Sequence, residues 1–181
     1  LGGFWIYAVA IFLGAGVESA LTFWSRSYVE IYLEDLPRAG AIAVVVFSGG
    51  MAIGRLLSAK LSNMIGPKIL MAGSAVLGLV VTCFVPFVTS LPVFYILLLL
   101  AGIATACFWP TILAVAKDSM KADSTILMVL LAVVGVAGFG LIPWMMGIVG
   151  EYIDLKAGFL LIPACFIGLI LMLKQMWLKV N

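Results

Sequence analysis

The sequence predicts an all-α membrane protein with six transmembrane helices. The chain has 181 residues, of which 65% are hydrophobic and 10% are charged, and its mean hydropathy is +1.30. Soluble domains contain about 45–50% apolar and about 25% charged residues, so this composition excludes a soluble fold. The apolar runs match the roughly 20 residues that a helix needs to cross a bilayer, and they are too long for barrel strands. Only helices or closed barrels satisfy their backbone in lipid, so each run is predicted as a helix.

Composition also limits the kind of function. The chain contains no histidine, the commonest metal ligand and general base. Cys83, Cys107 and Cys165 lie inside apolar runs without metal-ligand spacing and are predicted to be packing residues. The net charge is +2 and the basic residues are spread over several loops, which argues against a nucleic-acid partner. We therefore expect no metal, no cofactor and no catalytic residue.

The first three predicted spans cover residues 3–32, 39–61 and 67–88. An acidic loop, in which Pro37 acts as a helix breaker, separates the first two spans. A short polar turn with two lysines separates the second span from the third. Pro67 is predicted in the first turn of the third span, where its missing N–H is not needed.

The last three predicted spans cover residues 93–116, 124–149 and 157–173. A turn that ends in Leu-Pro, with a capping serine before it, precedes the fourth span. Polar loops follow the fourth and fifth spans. Glycine and proline recur inside the spans and indicate close helix packing and local kinks. They are Gly49, Gly50, Gly54, Pro110, Gly135, Gly138, Gly140, Pro143 and Gly147.

The polar turn at residues 59–68, the lysine turn, indicates the orientation in the membrane. Cytoplasmic loops carry the excess of Lys and Arg, so this turn and both termini are predicted on the cytoplasmic side of the cell (inner or plasma) membrane. Alternation of the spans then places most basic residues inside and most acidic residues outside. The inside set is Arg55, Lys60, Lys68, Lys117, Lys121, Lys174 and Lys179, and the outside set is Glu30, Glu34, Asp35, Arg38, Glu151, Asp154 and Lys156.

The lysine turn resembles the loop between the second and third helices in each half of major facilitator superfamily transporters. That loop is roughly Gly-x-Leu-small-Asp/Asn-Arg/Lys-x-Gly-Arg-Arg/Lys. Ala59, Met64 and Pro67 depart from this pattern, a looser form that is typical of the second half of such a transporter. The resemblance implies a gating loop that contains Asn63, Gly66 and Lys68. The matching residues are Leu61, Ser62, Asn63, Gly66 and Lys68.

Two further stretches are similar to the fucose-permease-like sugar/proton symporters of the same superfamily. Residues 14–19, Gly-Ala-Gly-Val-Glu-Ser, with an aromatic residue six positions after the glutamate, resemble the seventh helix of that group. Residues 109–116, which begin Trp-Pro-Thr-Ile, resemble its tenth helix, and the glycine-rich fifth span resembles the superfamily's eleventh. Arg26 has no clear counterpart in this pattern.

The resemblance covers all six spans and implies the C-terminal half of a twelve-helix transporter. This half would contain two inverted three-helix repeats, and the substrate path would lie between it and an N-terminal half that this chain lacks. Leu1 is not a start methionine, which agrees with the expectation that the chain is part of a longer protein.

Glu18 is the candidate site residue with the clearest physical basis. An acidic residue in mid-span costs roughly 2.5–3.5 kcal/mol on insertion scales, so it should face the bundle interior or a wet cavity. Thr22 and Ser25 follow at helical spacing and are predicted on the same inward face. Glu18 could instead be a structural residue, protonated and bonded to a neighbouring helix.

Aromatic residues near polar groups are candidates for stacking on a solute ring. Trp24 and Trp109, with Thr105 one turn before Trp109, are predicted to line the binding site, although Trp109 and Thr105 could equally be packing residues. Trp144 is predicted to be a packing residue. Arg26 lies eight residues from Glu18, about 12 Å along the helix, so a direct pair between them is not expected. Arg26 could snorkel to the headgroups.

These observations favour secondary active transport of a small polar solute, a sugar or a related compound, by proton-coupled alternating access. An uncoupled facilitator or an exporter of the same superfamily is the alternative. A membrane-embedded enzyme is disfavoured because the sequence shows no catalytic constellation. A channel is disfavoured because no filter-like loop or charged ring is present. The expected partners are the solute, membrane lipid, the N-terminal half and protons.

Overall fold

The computed structural model of the chain describes residues 3–33, 37–120 and 123–180. Within these residues, six helical spans are long and apolar enough to cross a membrane, as predicted. Glu34, Asp35 and Lys121, which were counted in the charge bias, lie outside the described residues, as does the side chain of Lys179. The helices are α1 Phe4–Tyr32, α2 Pro37–Ile65, α3 Pro67–Phe84, α4 Leu91–Thr105, α5 Phe108–Ser119, α6 Ser124–Tyr152, α7 Leu155–Phe159 and α8 Leu161–Val180, with a 3-10 turn at Val85–Phe87.

The second span is longer than predicted at both ends. Pro37 is the first residue of α2 and not a breaker before it, because proline is tolerated where the backbone N–H has no helical partner. The lysine turn is mostly helical, since α2 continues to Ile65 and α3 begins at Pro67. Gly66 alone joins them, at φ +82°. Glycine adopts this backbone conformation readily, whereas other residues would be strained. The end of the bundle at Gly66 is called the lysine end below.

The fourth and sixth spans are each divided into two helices at a proline. α4 ends at Thr105 and α5 begins at Phe108, two residues before Pro110. A proline ring clashes with the carbonyl four residues earlier, which for Pro110 belongs to Ala106, inside this break. Pro163 has the same relation to Phe159, where α7 ends. The kink at Pro110 was expected from the sequence, but the one before Pro163 was not.

The two three-helix repeats pack on each other through matching helix pairs. α1, the first helix of one repeat, has its most extensive contacts with α6, the second helix of the other, and α2 packs in the same way on α4. Both crossings are made by glycine: a Cβ on Gly138 would overlap the Phe12 backbone, and one on Gly50 would overlap the Leu99 carbonyl. Close backbone approach of this kind is how helices associate in lipid. The glycine-rich packing that the sequence predicted is therefore confirmed at these two crossings.

Some residues predicted to be packing residues lie on the surface instead. Cys107 and Cys165 are buried, as predicted, but Cys83 is exposed on α3. Trp144 is 63% exposed on α6. Only 28% of an 18-residue apolar stretch of α6 is buried, the lowest share among the six spans. Apolar side chains on such a helix are stable outside the core because lipid is as apolar as the interior.

Candidate functional site

Glu18 lies at the middle of α1. It is fourteen residues from each end of the helix, about 21 Å at 1.5 Å per residue, and therefore near the centre of the bilayer. α1 is the most buried of the six spans, because α6, α8 and α2 all pack on it. The side chain of Glu18 is nevertheless 22% exposed, so one part of it faces an opening in the bundle.

Arg55 on α2 is the charged partner of Glu18. The distance between Nη2 of Arg55 and Oε1 of Glu18 is 3.5 Å. Arg55 lies four residues from the middle of α2, about 6 Å along the axis, and so lies well within the hydrocarbon region. Arg55, which was counted from the sequence with the basic residues of the cytoplasmic side, is therefore a residue of the span itself. A charged group at this depth needs a partner or water, and Glu18 and Arg55 supply each other.

The pair faces an open cavity of about 520 Å³, called the central cavity. Glu18, Arg55, Trp109, Pro110 and Phe139 line it. This volume lies within the roughly 300–1,000 Å³ of small-molecule sites. The cavity combines one carboxylate, one guanidinium and two aromatic side chains, which is a set of groups that can hydrogen-bond a polar solute and pack against its ring.

Trp109 reaches the cavity because of two local features of the sequence. It lies in the first turn of α5, directly after the break that Pro110 causes. Its ring lies against Gly135 of α6, where an added Cβ would come within 2.6 Å of the indole. A larger residue at position 135 would displace the ring. Trp109 is half-buried, so part of its surface remains available to a solute.

A second cavity of about 520 Å³ continues from the first towards the lysine end. Arg55 and Pro110 line both cavities. The second runs between α2 and α5 and ends near the α2–α3 junction, where Asn63 and Asp118 line it. Of the predicted gating residues, Asn63 is exposed in the last turn of α2, Gly66 is the junction itself and Lys68 lies in the first turn of α3.

Four of the predicted binding residues are not among the described residues that line the central cavity. The hydroxyls of Thr22, Ser25 and Thr105 donate to carbonyls of their own helices, those of Glu18 (2.8 Å), Leu21 and Ala101 (2.9 Å) respectively. Ser25 and Thr105 are also fully buried. Trp24 donates from Nε1 to the Pro143 carbonyl at 2.9 Å and so joins α1 to α6. The cavity thus brings together Glu18 and Trp109 from the predicted set.

Arg26, the other charged residue of α1 that the sequence singled out, lies outside the central cavity. Nε of Arg26 lies 2.7 Å from Oε1 of Glu30, one turn further along α1. Among the described residues, no three acidic, histidine or cysteine side chains are grouped as metal ligands would be.

Arg55 is the site residue that sequence reasoning missed. It lies in the predicted second span, and the rule that selected Glu18, that an ionisable residue within a span indicates a functional site, applies equally to it. Arg55 was passed over because its position nearer the lysine turn allowed it to be counted with the basic residues of the cytoplasmic side.

Comparisons with known proteins agree with this architecture. The sequence model of the Major Facilitator Superfamily matches residues 6–180. A search of curated proteins finds no significant match. Among solved structures, the chain resembles the Major Facilitator Superfamily transporter FucP in the outward conformation, with a TM-score of 0.87, and a variant of the E. coli fucose:proton symporter FucP, with a TM-score of 0.84.

Both structural matches are at 18% identity, which shows the fold alone. Each covers 96% of this chain but 42% of the other protein, so the chain spans less than half the length of these transporters. The six helical spans of the described residues correspond to half of the superfamily's twelve-helix fold. Because the family match extends over nearly the whole sequence, the chain belongs to the Major Facilitator Superfamily of membrane transporters.

Proposed function

We propose that the chain is the C-terminal half of a secondary transporter that moves a small polar solute, a sugar or a related compound, together with protons. The observation that carries the proposal is the central cavity, in which a mid-membrane carboxylate, a guanidinium and an indole ring face one opening. Transporters of this architecture bind their solutes near the bilayer midplane, between two halves. The likeness to a fucose:proton symporter supports both the solute class and the coupling.

The cavity is only one side of a site. Its lining residues come from α1, α2, α5 and α6, and Arg55 is 56% exposed. In a twelve-helix transporter this face would meet an N-terminal half, and the two halves would enclose the solute. Rocking of one half on the other would then open the site to each side of the membrane in turn. In this proposal the lysine end is cytoplasmic, in the inner or plasma membrane.

The residues have separable roles in this mechanism. Glu18 accepts hydrogen bonds from solute hydroxyls, and it can take up a proton during the cycle. Arg55 forms an ion pair with Glu18 when the site is empty. Among the described residues that line the central cavity, Arg55 is the one other charged group. α5 and α6 contribute the uncharged Trp109, Pro110 and Phe139. Trp109 offers an apolar face to a sugar ring. The second cavity gives the solute a path towards the lysine end.

An uncoupled facilitator or an exporter with the same site is the alternative, and the experiment that tests Glu18 also tests proton coupling. The full-length protein that contains this chain is reconstituted in liposomes, and solute counterflow and proton-driven uptake are measured for wild type, Glu18→Gln and Glu18→Ala. We expect Glu18→Gln to flatten the pH dependence of uptake or to change solute affinity, and Glu18→Ala to impair transport further because it also removes the hydrogen-bonding group. The matched control is Glu30→Gln, at the far end of the same helix.

Wild-type affinity and wild-type pH dependence in both Glu18 variants would show that Glu18 is structural and that the site assignment is wrong. Counterflow without any response to a proton gradient would favour the facilitator.

A further inference from the structure

We propose that the solute is an acid: a small polyhydroxylated molecule with one carboxylate, such as a sugar acid, which binds by taking the Arg55 guanidinium from Glu18. This rests on the proposed function and adds the charge of the solute to it. The inference comes from the geometry of the Glu18–Arg55 pair and from the distribution of charge along the two cavities.

The pair is loosely made. Its 3.5 Å separation joins one terminal nitrogen to one carboxylate oxygen, whereas charge-assisted hydrogen bonds between such groups are about 2.7–2.9 Å and are frequently bidentate. A guanidinium has five N–H donors. Within the described parts of the chain, Glu18 is the one side chain that forms an ion pair with Arg55. Arg55 therefore has donors to spare that can reach a ligand.

The exposure of the two groups shows which one a ligand meets. The side chain of Arg55 is 56% exposed and that of Glu18 is 22% exposed. Arg55 also lines both cavities, whereas Glu18 lines only the central one. A solute in either cavity therefore meets the guanidinium, whereas it meets the carboxylate only in the central cavity.

Among its described lining residues, the path through the two cavities contains one cationic group that can bind an anion. Of the described residues that line either cavity, Arg55 is the only cation, and Asp118 and Glu18 are the acidic ones. A single fully charged guanidinium can hold one carboxylate in bidentate geometry. Exchange of the Glu18 carboxylate for a solute carboxylate keeps the mid-membrane guanidinium paired, and the released Glu18 takes up the proton that the proposed cycle requires, so no unpaired charge is left at this depth. A neutral sugar would have to bind beside the intact pair or separate it without replacing the lost charge.

The remaining lining residues suit the rest of such a molecule. Trp109 and Phe139 offer aromatic surface for a ring. Glu18, once released, still faces the central cavity and can accept hydrogen bonds from hydroxyl groups. In this arrangement Arg55 recognises the carboxylate, and Glu18, Trp109 and Phe139 recognise the ring and its hydroxyls.

The test uses the purified full-length protein and pairs of probes that differ only in the acidic group: galacturonate with galactose, and glucuronate with glucose. Equilibrium binding of each probe is measured for wild type, Arg55→Gln, Arg55→Lys and Glu18→Gln. The control is Arg26→Gln, which removes a guanidinium of similar exposure that lies outside both cavities.

In at least one pair, we expect wild type to bind the acid about tenfold or more tightly than the neutral sugar. Arg55→Gln should abolish this ratio because it removes the charge that binds the carboxylate, and Arg55→Lys should retain part of it because an ammonium keeps the charge but not the bidentate geometry. Glu18→Gln should increase affinity for the acid, because it removes the competing carboxylate. Arg26→Gln should leave the ratio as in wild type.

Preference for the neutral sugars, or equal binding of both members of every pair, would overturn this inference and leave the proposed function standing. Failure of all four probes to bind would count against both. The double variant Glu18→Gln/Arg55→Gln contains no unpaired charge at the site and serves as the folding control. If it folds and still prefers the acid, Arg55 does not bind the carboxylate and the inference is wrong.

Discussion

Glu18→Gln and Arg55→Gln should each destabilise the helix bundle, and their effects should not be additive because both substitutions remove the same ion pair. At 3.5 Å, two unit charges attract by about 5 kcal/mol at an effective dielectric constant of 20 and by about 1 kcal/mol in bulk water. Arg55 is more than half exposed to the cavity, so the true value lies between these limits. We expect a coupling energy of about 2–3 kcal/mol between Glu18→Gln and Arg55→Gln.

The Arg26–Glu30 pair provides an internal comparison in which distance and environment act in opposite directions. Its separation is 2.7 Å, shorter than that of the mid-membrane pair, but its side chains are 57% and 37% exposed near the end of α1. Helical pairs of this spacing at exposed positions contribute only about 0.3–0.5 kcal/mol. The environment should therefore outweigh the distance, and the longer pair should show the larger coupling.

The assay is reversible unfolding of the full-length protein by SDS in mixed micelles, with a double-mutant cycle at each pair. A coupling below about 0.5 kcal/mol for Glu18 and Arg55, or one smaller than that of Arg26 and Glu30, would refute the conclusion that the pair forms in a medium of low dielectric constant.

Two further predictions concern topology and packing. In a protein without Cys83, Cys107 and Cys165, a cysteine that replaces Ser62 should react with impermeant reagents only from the cytoplasmic side. A cysteine that replaces Ser90, at the opposite end of the bundle, should react only from outside. The reverse labelling pattern would overturn the predicted orientation. Gly50→Ala should lower the unfolding free energy by about 1–3 kcal/mol, because its Cβ would overlap the Leu99 carbonyl. Gly49→Ala has open space and should have little effect, so equal losses at positions 49 and 50 would contradict the packing described for α2 and α4.

The number and order of the spans could be predicted from the sequence because hydropathy and length determine them almost completely. A run of apolar residues in lipid has one way to satisfy its backbone, and six such runs are present. Helix boundaries were less accurate. Pro37 and residues 62–65 were predicted outside helices because polar residues near a span usually indicate a loop, yet here α2 continues to Ile65 with polar side chains exposed.

The candidate site was predicted only in part. Glu18 and Trp109 were found because a charge and an aromatic–proline pair inside apolar runs are rare features. Thr22, Ser25 and Thr105 share helical faces with the site, but hydroxyls in a helix can donate to the carbonyl one turn earlier, as they do here. Helical periodicity alone does not distinguish a hydroxyl that faces a solute from one that bonds to its own backbone. The partnership with Arg55 depends on how α1 and α2 pack, which no single span reveals.

Saturable uptake by the full-length protein and by this chain alone, measured in liposomes of the same composition, tests the central claim most directly. If the chain is one half of a two-half transporter, the full-length protein should take up a polar solute with saturation, and the isolated chain should not, since its central cavity lacks the facing wall. Saturable uptake by the chain alone would contradict this account and indicate a complete transporter assembled from copies of the chain.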